Sequence, residues 1–192
     1  MKLTAFLSFL ILFPSFSFAK VDCDDHPIYC QIHRNNPTLD LKYAMNLSNI
    51  IYKAAKKHKV NARILTAIYA QESMYVNETK NCTTGIFHIE AAFVEADIPK
   101  DMKDRMLAMT AEPITVCTDF GIGQIWYRTA AKMGIDLNRI ILDLEYSVDK
   151  SAEILADFYQ RYGHREKDWW TRYNASSRKK RDVYLNLVER YL

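Results

Sequence analysis

Glycine and proline are scarce in this chain of 192 residues, which contains five of each. No proline occurs between residues 38 and 98 or after residue 113. Because both residues interrupt helices, their scarcity leaves room for long helices and excludes collagen-like or low-complexity order. Hydrophobic residues make up 49% of the chain, which excludes intrinsic disorder. The composition therefore favours a mostly helical globular fold. The length, with no linker or internal repeat, favours one domain.

Long apolar runs are missing as well, apart from one near the start. The eleven residues Leu3–Phe13 are mostly apolar, but a bilayer span needs about 20 such residues. Lys2 precedes this run, and Ser17–Ala19 places small residues where signal peptidase cuts. We expect residues 1–19 to be a cleaved signal peptide and residues 20–192 to form one periplasmic or secreted domain without a stable membrane anchor. An uncleaved anchor or a buried N-terminal helix is the alternative.

Cysteine is limited to four residues, all beyond that cleavage site: Cys23, Cys30, Cys82 and Cys117. An even number of cysteines in an oxidising compartment predicts two disulfides, for which three connectivities exist. The sequence contains no Cys-x-x-Cys and no histidine pair at ligand spacing, so we expect neither a metal site nor another cofactor.

The net charge of +3 conceals an uneven distribution of charge. Residues 71–120 hold nine acidic and four basic residues, whereas residues 161–192 hold nine basic and four acidic ones. The basic run Arg178–Arg181 could indicate nucleic acid binding. In an exported protein we interpret it as the solvated face of a terminal helix and expect no nucleic acid partner. Binding to an anionic surface or polymer is the alternative.

Hydrophobic periodicity predicts helices over residues 39–58, 124–133, 148–162 and 178–191. A further helix begins after Asn61, which is a favourable N-cap, with Val60 and Leu65 in the two positions of a hydrophobic staple. A short strand near Ile86–Ile89 is weakly indicated.

Glu72 lies on the apolar face of the helix that begins after Asn61, because it follows Ile68 by four residues and Leu65 by seven. Burial and the negative end of the helix dipole both raise the pKa of such a carboxyl. The group can then stay protonated near neutral pH and donate its proton to a leaving oxygen. A glutamate at the edge of the core, paired with Lys or Arg, explains the same periodicity.

Two other segments combine amides with glycine or aromatic residues. The block Gly121–Gln124 suits a tight turn in which the backbone approaches a ligand and the glutamine supplies an amide. A plain turn from loop to helix is the alternative. Tyr173 and Asn174 follow Trp169 and Trp170, and aromatic rings beside amides suit sugar binding. Buried core aromatics also explain this cluster.

The helix that carries Glu72, the glycine block and the Tyr173-Asn174 segment resemble, in this order, the motifs of the soluble lytic transglycosylase family. Val60–Ser73 is similar to the family helix that ends in a Glu-Ser signature. Gly121–Gln124 resembles the Gly-Leu-Met-Gln block, and Tyr173–Ala175 resembles the Ala-Tyr-Asn-Ala-Gly motif. The resemblance covers residues 41–192, and small exported members of the family are similar in size.

The resemblance implies a mostly helical, lysozyme-like fold that cleaves peptidoglycan. The bond would be the β-1,4 linkage between N-acetylmuramic acid and N-acetylglucosamine, and the products would carry 1,6-anhydro-muramyl ends. Glu72 would be the catalytic acid and base. The substrate-binding residues would be Ser73, Gly121, Ile122, Gln124, Tyr173 and Asn174. Small exported relatives open the wall for secretion, conjugation or pilus machines, which makes such a machine a candidate partner.

The sequence also departs from the family pattern. The replacements are Gly123 for Met, Arg172 for Ala and Ser176 for Gly. In addition, 48 residues separate Glu72 from Gly121, which is more than is usual in the family. We expect this insertion to reshape the cleft and to hold a small β element within residues 76–120. Since one cysteine lies near each of its ends, we predict that Cys82 pairs with Cys117 and Cys23 with Cys30.

Two other functions stay open. A lysozyme-type hydrolase on the same fold would need a second carboxylate, and Asp119 beside the glycine block is the best candidate. The other is a catalytically degenerate peptidoglycan-binding protein. The presence of Glu72, Gln124 and Tyr173 argues against it, while the substitutions around them favour it.

Overall fold

Helices dominate the computed structural model, which describes residues 21–84 and 115–192. The helices in these residues are α1 (Pro27–Asn35), α2 (Leu41–His58), α3 (Ala62–Ser73), α4 (Tyr127–Met133), α5 (Leu137–Leu142), α6 (Leu144–Tyr162) and α7 (Arg178–Val188). Short 3-10 helices, Trp169–Tyr173 and Glu189–Tyr191, lie before and after α7. The strands are β1 (Thr79–Lys80), β2 (Thr83–Thr84), β3 (Thr115–Val116), β4 (Asp119–Phe120) and β5 (Ile125–Trp126). The predicted mostly helical, lysozyme-like class is confirmed.

Helix α3 places Glu72 in its last turn. The side chain of Asn61 accepts two backbone N–H groups at the start of the helix, as its sequence position predicted. At the other end, Met74 and Tyr75 have φ values of 52° and 72°. These left-handed conformations, which are uncommon for residues other than glycine, turn the chain sharply just after Glu72.

Two apolar clusters hold the site from opposite sides. The main core lies between α1, α2, α3, α6 and α7, and it includes Leu65 and Ile68 from the face of α3 that also carries Glu72. A smaller cluster around Ile140 and Ile154 packs α4 and α5 against α6. Tyr173 packs against both clusters, so the segment that follows it is anchored between them.

Three strands form a small antiparallel sheet in the order β1-β4-β5. Lys80 pairs with Asp119 across β1 and β4, and Asp119 pairs with Trp126 across β4 and β5. Directly opposed residues of an antiparallel sheet project from the same face. Lys80, Asp119 and Trp126 therefore form one row across the sheet. Strands β2 and β3 pair separately, also antiparallel.

The predictions of α2, α3, α6 and α7 are confirmed, with ends displaced by a few residues. The helix predicted from residue 124 begins later, because Ile125 and Trp126 pair with β4 before α4 starts at Tyr127. Helices α1 and α5 were not predicted. The strand suggested near Ile86–Ile89 lies outside the described residues.

Both predicted disulfides are present in the structure. Cys23 is bonded to Cys30 and ties the segment before α1 to that helix. Cys82 is bonded to Cys117, which joins the chain beside β2 to the chain beside β3. Within residues 21–84 and 115–192, no helix is long and apolar enough to cross a membrane.

The interpretation of Arg178–Arg181 as a wholly solvated face is wrong at one position. Three of these residues are exposed, but the side chain of Arg181 is buried. Its Nη1 donates a hydrogen bond to Oε2 of Glu166 at 3.0 Å. A buried guanidinium needs such a partner, and Arg181 therefore belongs to the interior of the fold rather than to a solvated surface.

Candidate active site

The carboxyl of Glu72 lies in a cleft of about 650 Å³. The end of α3, the small sheet, α6 and the segment after the first 3-10 helix supply its walls. Of the residues that the sequence predicted for the site, those that line this cleft with Glu72 are Asp119, Gln124, Tyr173 and Asn174. The fold thus brings together side chains that lie up to 102 positions apart.

Two donors bind the same oxygen of Glu72. The hydroxyl of Tyr184, on α7, donates to Oε1 at 2.6 Å, and Nδ2 of Asn174 donates to Oε1 at 3.1 Å. Since Oε1 accepts both hydrogen bonds, the proton of the neutral acid belongs on Oε2. The two contacts orient the carboxyl and leave Oε2 outside both hydrogen bonds.

Burial raises the pKa of Glu72 above its ordinary value, and it is the largest influence on that group. The hydrogen bonds from Tyr184 and Asn174 act in the opposite direction, because they favour the carboxylate. The negative charge of Asp119 raises the pKa further, whereas Lys80 lowers it. The net direction agrees with the sequence-based expectation, so the carboxyl keeps its proton to a higher pH than a solvated glutamate does.

Lys80 also fixes the end of the helix that carries the acid. Its Nζ donates to the backbone carbonyl of Glu72 at 2.6 Å and lies 3.2 Å from Oε1 of Glu78. A cation at the carbonyl end of a helix is favourable, because the helix dipole is negative there. This lysine lines the cleft as well, so it places a positive charge beside the acid.

The glycine block is a tight turn fastened to the end of α3. Gly121 has a φ of +78°, and the backbone N–H of Ile122 donates to Oδ1 of Asn77 at 2.8 Å. The hydroxyl of Ser73 donates to the carbonyl of Ile122 at 2.8 Å. The side chains of Ser73 and Ile122 are buried, and with Gly121 they lie beneath the wall of the cleft. In this structure these three predicted substrate-binding residues therefore support the site and do not line it.

Gln124 ends the turn with its amide held in place. Nε2 donates to the carbonyl of Gly121 at 2.7 Å and to that of Glu78 at 3.1 Å. Its Oε1 is buried and has no hydrogen-bond partner within the described parts of the chain. Gln124 lines the cleft, but this oxygen is shielded from solvent in the structure.

The replacement of Met by Gly123 has a structural reason. The hydroxyl of Tyr173 donates to the carbonyl of Gly123 at 2.9 Å. A Cβ atom at this glycine would overlap that hydroxyl and the hydroxyl of Ser151. Any larger side chain at position 123 would therefore displace Tyr173 from its present position in the cleft.

Arg172, which replaces the family's Ala, adds to the cleft a positive charge that Tyr162 and Glu166 hold in place. Its guanidinium carbon lies 3.8 Å from the centre of the Tyr162 ring, and its Nε donates to Oε2 of Glu166 at 2.9 Å. Both Arg172 and Tyr162 line the cleft, and so does Ser176, where the family has glycine. These substitutions change the shape and charge of one end of the cleft and leave the contacts of Glu72 in place.

Asp119, the candidate second carboxylate, faces the same cleft as Glu72. It accepts hydrogen bonds from Nδ2 of Asn81 and, at 3.0 Å, from the hydroxyl of Thr118. Among residues 21–84 and 115–192, no three His, Cys, Asp or Glu side chains are grouped so that they could hold a metal ion.

The tryptophans next to Tyr173 do not line the cleft. Trp170 is buried in the main core, where its ring lies 6.4 Å from that of Tyr184. Trp169 packs edge-on against Tyr159 at 5.0 Å. Of the two interpretations of this aromatic cluster, core packing is the one that the structure shows.

The residues of the site that the sequence did not indicate include Lys80, Trp126 and Tyr184, as well as Asn81, Phe158 and Tyr162 in the wall of the cleft. Tyr184 shares an apolar face of α7 with Val188, four residues on, and that pattern does not distinguish a core tyrosine from one that contacts an acid. Trp126 had a weak signal, because a large aromatic residue follows the glycine block by two positions.

A buried carboxyl with a raised pKa, held in an open cleft of a lysozyme-like helical fold, is typical of glycan-cleaving enzymes. A family model described as the Transglycosylase SLT domain matches residues 49–186. The match covers more than half of the chain, and the chain therefore belongs to this family. Its members are lytic transglycosylases, glycan lyases that act on peptidoglycan. No curated protein and no solved structure matches the chain. The disulfides and the family together indicate an extracytoplasmic protein.

Proposed function

We propose that this protein is an exported lytic transglycosylase in which Glu72 serves as both catalytic acid and catalytic base. The bond cleaved is the β-1,4 linkage between N-acetylmuramic acid and N-acetylglucosamine. The observation that carries the proposal is the carboxyl of Glu72, whose pKa is raised by burial while Tyr184 and Asn174 orient it in the cleft. A raised pKa is the direction that favours a general acid.

In the first step, Oε2 of Glu72 donates its proton to the glycosidic oxygen. The bond between C1 of the muramyl sugar and that oxygen breaks, and the N-acetyl carbonyl oxygen of the same sugar attacks C1. This internal attack replaces the second carboxylate that most retaining glycosidases require. The hydrogen bonds from Tyr184 and Asn174 stabilise the carboxylate that Glu72 becomes.

In the second step, the Glu72 carboxylate takes the proton of the sugar's own 6-hydroxyl. The 6-oxygen attacks C1, and the bond between C1 and the acetyl oxygen breaks. The N-acetyl group is restored, a 1,6-anhydro ring closes without water, and Glu72 regains its proton. The elevated pKa suits this double role, because the same group must give and accept a proton near neutral pH.

The remaining residues of the site bind and orient the glycan. Gln124, Tyr173 and Asn174 line the wall of the cleft beside the acid. Ser73 and Ile122 hold the glycine turn from beneath. These roles fit a polar polymer with many hydroxyl and amide groups, which peptidoglycan strands provide.

An exported protein reaches the compartment in which peptidoglycan occurs. Residues 1–19 serve as the signal peptide, and the domain of residues 20–192 works in the periplasm or outside the cell. The two disulfides support this location, because such bonds persist in oxidising compartments. On the basis of the family resemblance, we also propose that the protein opens the cell wall for a secretion, conjugation or pilus machine.

A lysozyme-type hydrolase is the second candidate function, and one observation favours it. Asp119 faces the same cleft as Glu72, and its charge raises the pKa of Glu72. A carboxylate in that position could hold a water molecule or stabilise a cationic sugar. The two candidates differ in their products, since a hydrolase adds water and a transglycosylase does not.

The substitution Glu72→Gln tests the proposal, because glutamine keeps the shape of the side chain and has no proton to donate. Turnover of purified peptidoglycan should fall by about 10²–10⁴-fold. The matched control is Glu153→Gln on α6, where the glutamate pairs with Lys150 outside the cleft. The control should retain wild-type turnover. Turnover by Glu72→Gln within a few-fold of wild type would show that Glu72 is structural.

A further inference from the structure

Trp126 is a large apolar side chain that stays 45% exposed within the cleft. It is one of three tryptophans in the chain, and the other two pack among neighbouring aromatic rings outside the cleft. The next residue back, Ile125, is buried in the smaller apolar cluster. Strand β5 therefore directs its aliphatic residue into the core and its indole ring towards the cleft.

The register of the sheet places this ring beside two charged groups. Trp126 lies directly opposite Asp119, which in turn lies opposite Lys80. All three side chains line the cleft, as expected for a row on one face of the sheet. The row thus combines a flat apolar ring with a hydrogen-bond acceptor and a cation, on the side of the cleft formed by the sheet.

Neighbouring side chains hold the indole ring in its orientation. The guanidinium carbon of Arg128 lies 5.2 Å from the centre of the ring, and the ring of Tyr127 meets it edge-on at 5.5 Å. Because the guanidinium of Arg128 lies over one face of the Trp126 ring, a ligand can stack on the opposite face. A ring that is already oriented loses little freedom when a ligand binds, which favours affinity.

We propose that Trp126 is a saccharide platform, on which the apolar C–H face of one pyranose ring of the glycan stacks. The neighbouring carboxylate of Asp119 and ammonium of Lys80 bind polar groups of the same sugar. This inference rests on the proposed function and deepens it, since it names a side chain that binds the substrate in the same cleft as Glu72. Aromatic rings and sugar faces suit each other because both are flat and apolar, while the sugar's hydroxyls point to the rim.

The test uses soluble glycan strands, released from peptidoglycan by an amidase, as the probe. The protein carries Glu72→Gln so that the strands are bound without being cut. Three versions of this protein are compared: the parent, one with Trp126→Phe and one with Trp169→Phe as the matched control. Indole fluorescence during the titration reports contact with the ring itself, and calorimetry reports the affinity. A fourth version with Trp126→Ala removes the platform completely.

Glycan binding should change the indole emission of the parent and of the Trp169→Phe control by the same amount. In Trp126→Phe that change should disappear, and in Trp126→Ala the affinity should fall roughly tenfold. An unchanged emission response in Trp126→Phe, or an unchanged affinity in Trp126→Ala, would overturn the inference. If the parent binds no glycan at all, the proposed function fails together with the inference. If the parent binds glycan and the Trp126 variants behave as the parent does, the inference alone fails. Thermal unfolding of each version confirms that the fold is intact.

Discussion

The hydroxyl of Tyr184 donates a hydrogen bond of 2.6 Å to Oε1 of Glu72, although 112 positions separate the two residues in the sequence. The contact links α7 to the last turn of α3, so the orientation of the proposed catalytic acid depends on a helix near the end of the chain. The contact also opposes the effect of burial on the pKa of Glu72. Burial raises the pKa of Glu72, and this hydrogen bond lowers it.

Tyr184→Phe should therefore raise the pKa of Glu72 further, because the carboxylate loses a donor while its burial stays the same. Activity requires the protonated acid and falls as pH rises through this pKa. The alkaline limb of kcat/KM should thus move to higher pH. The maximal rate should drop on the order of tenfold, since a hydrogen bond to a charged group contributes about 1.5–3 kcal/mol. A pH–rate profile measures both effects.

The matched control for that profile is Tyr43→Phe, which removes a hydroxyl that donates to the carbonyl of Tyr75 outside the cleft. Its pH dependence should equal that of the wild type. An alkaline limb that stays in place in Tyr184→Phe, or moves to lower pH, contradicts the role assigned to Tyr184.

Gly121→Ala should destabilise the protein by about 2–5 kcal/mol. The alanine would adopt a φ of +78°, at about 1–2 kcal/mol, and its Cβ would overlap side-chain atoms of Ser147 and Ile140, at about 1–3 kcal/mol. Gly134→Ala is the control, because Gly134 has a φ of +65° and no atom would lie within 4 Å of its new Cβ. Urea unfolding of both variants separates crowding from backbone strain. Equal losses of stability would show that crowding around position 121 is unimportant.

The two disulfides should contribute unequally to stability. Sequence separations of 35 for Cys82–Cys117 and 7 for Cys23–Cys30 give, by chain entropy, about 4 and about 2 kcal/mol. Double serine variants of each pair, compared by thermal unfolding, measure the difference. A larger loss from the Cys23–Cys30 variant would mean that loop closure does not dominate the stabilisation.

The parts of the fold set by local sequence could be predicted. Helix α3 follows from Asn61 as its N-cap and from the spacing of Leu65, Ile68 and Glu72, all within four turns of one helix. The elevated pKa of Glu72 follows from the same spacing, because a residue on the apolar face is desolvated wherever that face packs.

The parts set by long-range packing could not be predicted in the same way. The contact of Tyr184 with Glu72 depends on how α7 packs against α3, which hydrophobic periodicity does not specify. Trp126 joins the cleft because a strand of only two residues precedes α4, and so short a strand has no alternating pattern to read. Arg181 looked like part of a solvated basic run, and only the position of Glu166 explains its burial.

If Glu72 acts without a second carboxylate, the masses of the products will show it. Purified peptidoglycan is digested with the wild type and with Asp119→Asn, and the released muropeptides are weighed. Both proteins should release products with 1,6-anhydro-muramyl ends, each one water lighter than the product of a hydrolase, because Asp119 takes no part in the bond-breaking chemistry. Products with ordinary reducing ends, formed by the wild type and lost in Asp119→Asn, would refute the transglycosylase mechanism and identify a lysozyme-type hydrolase.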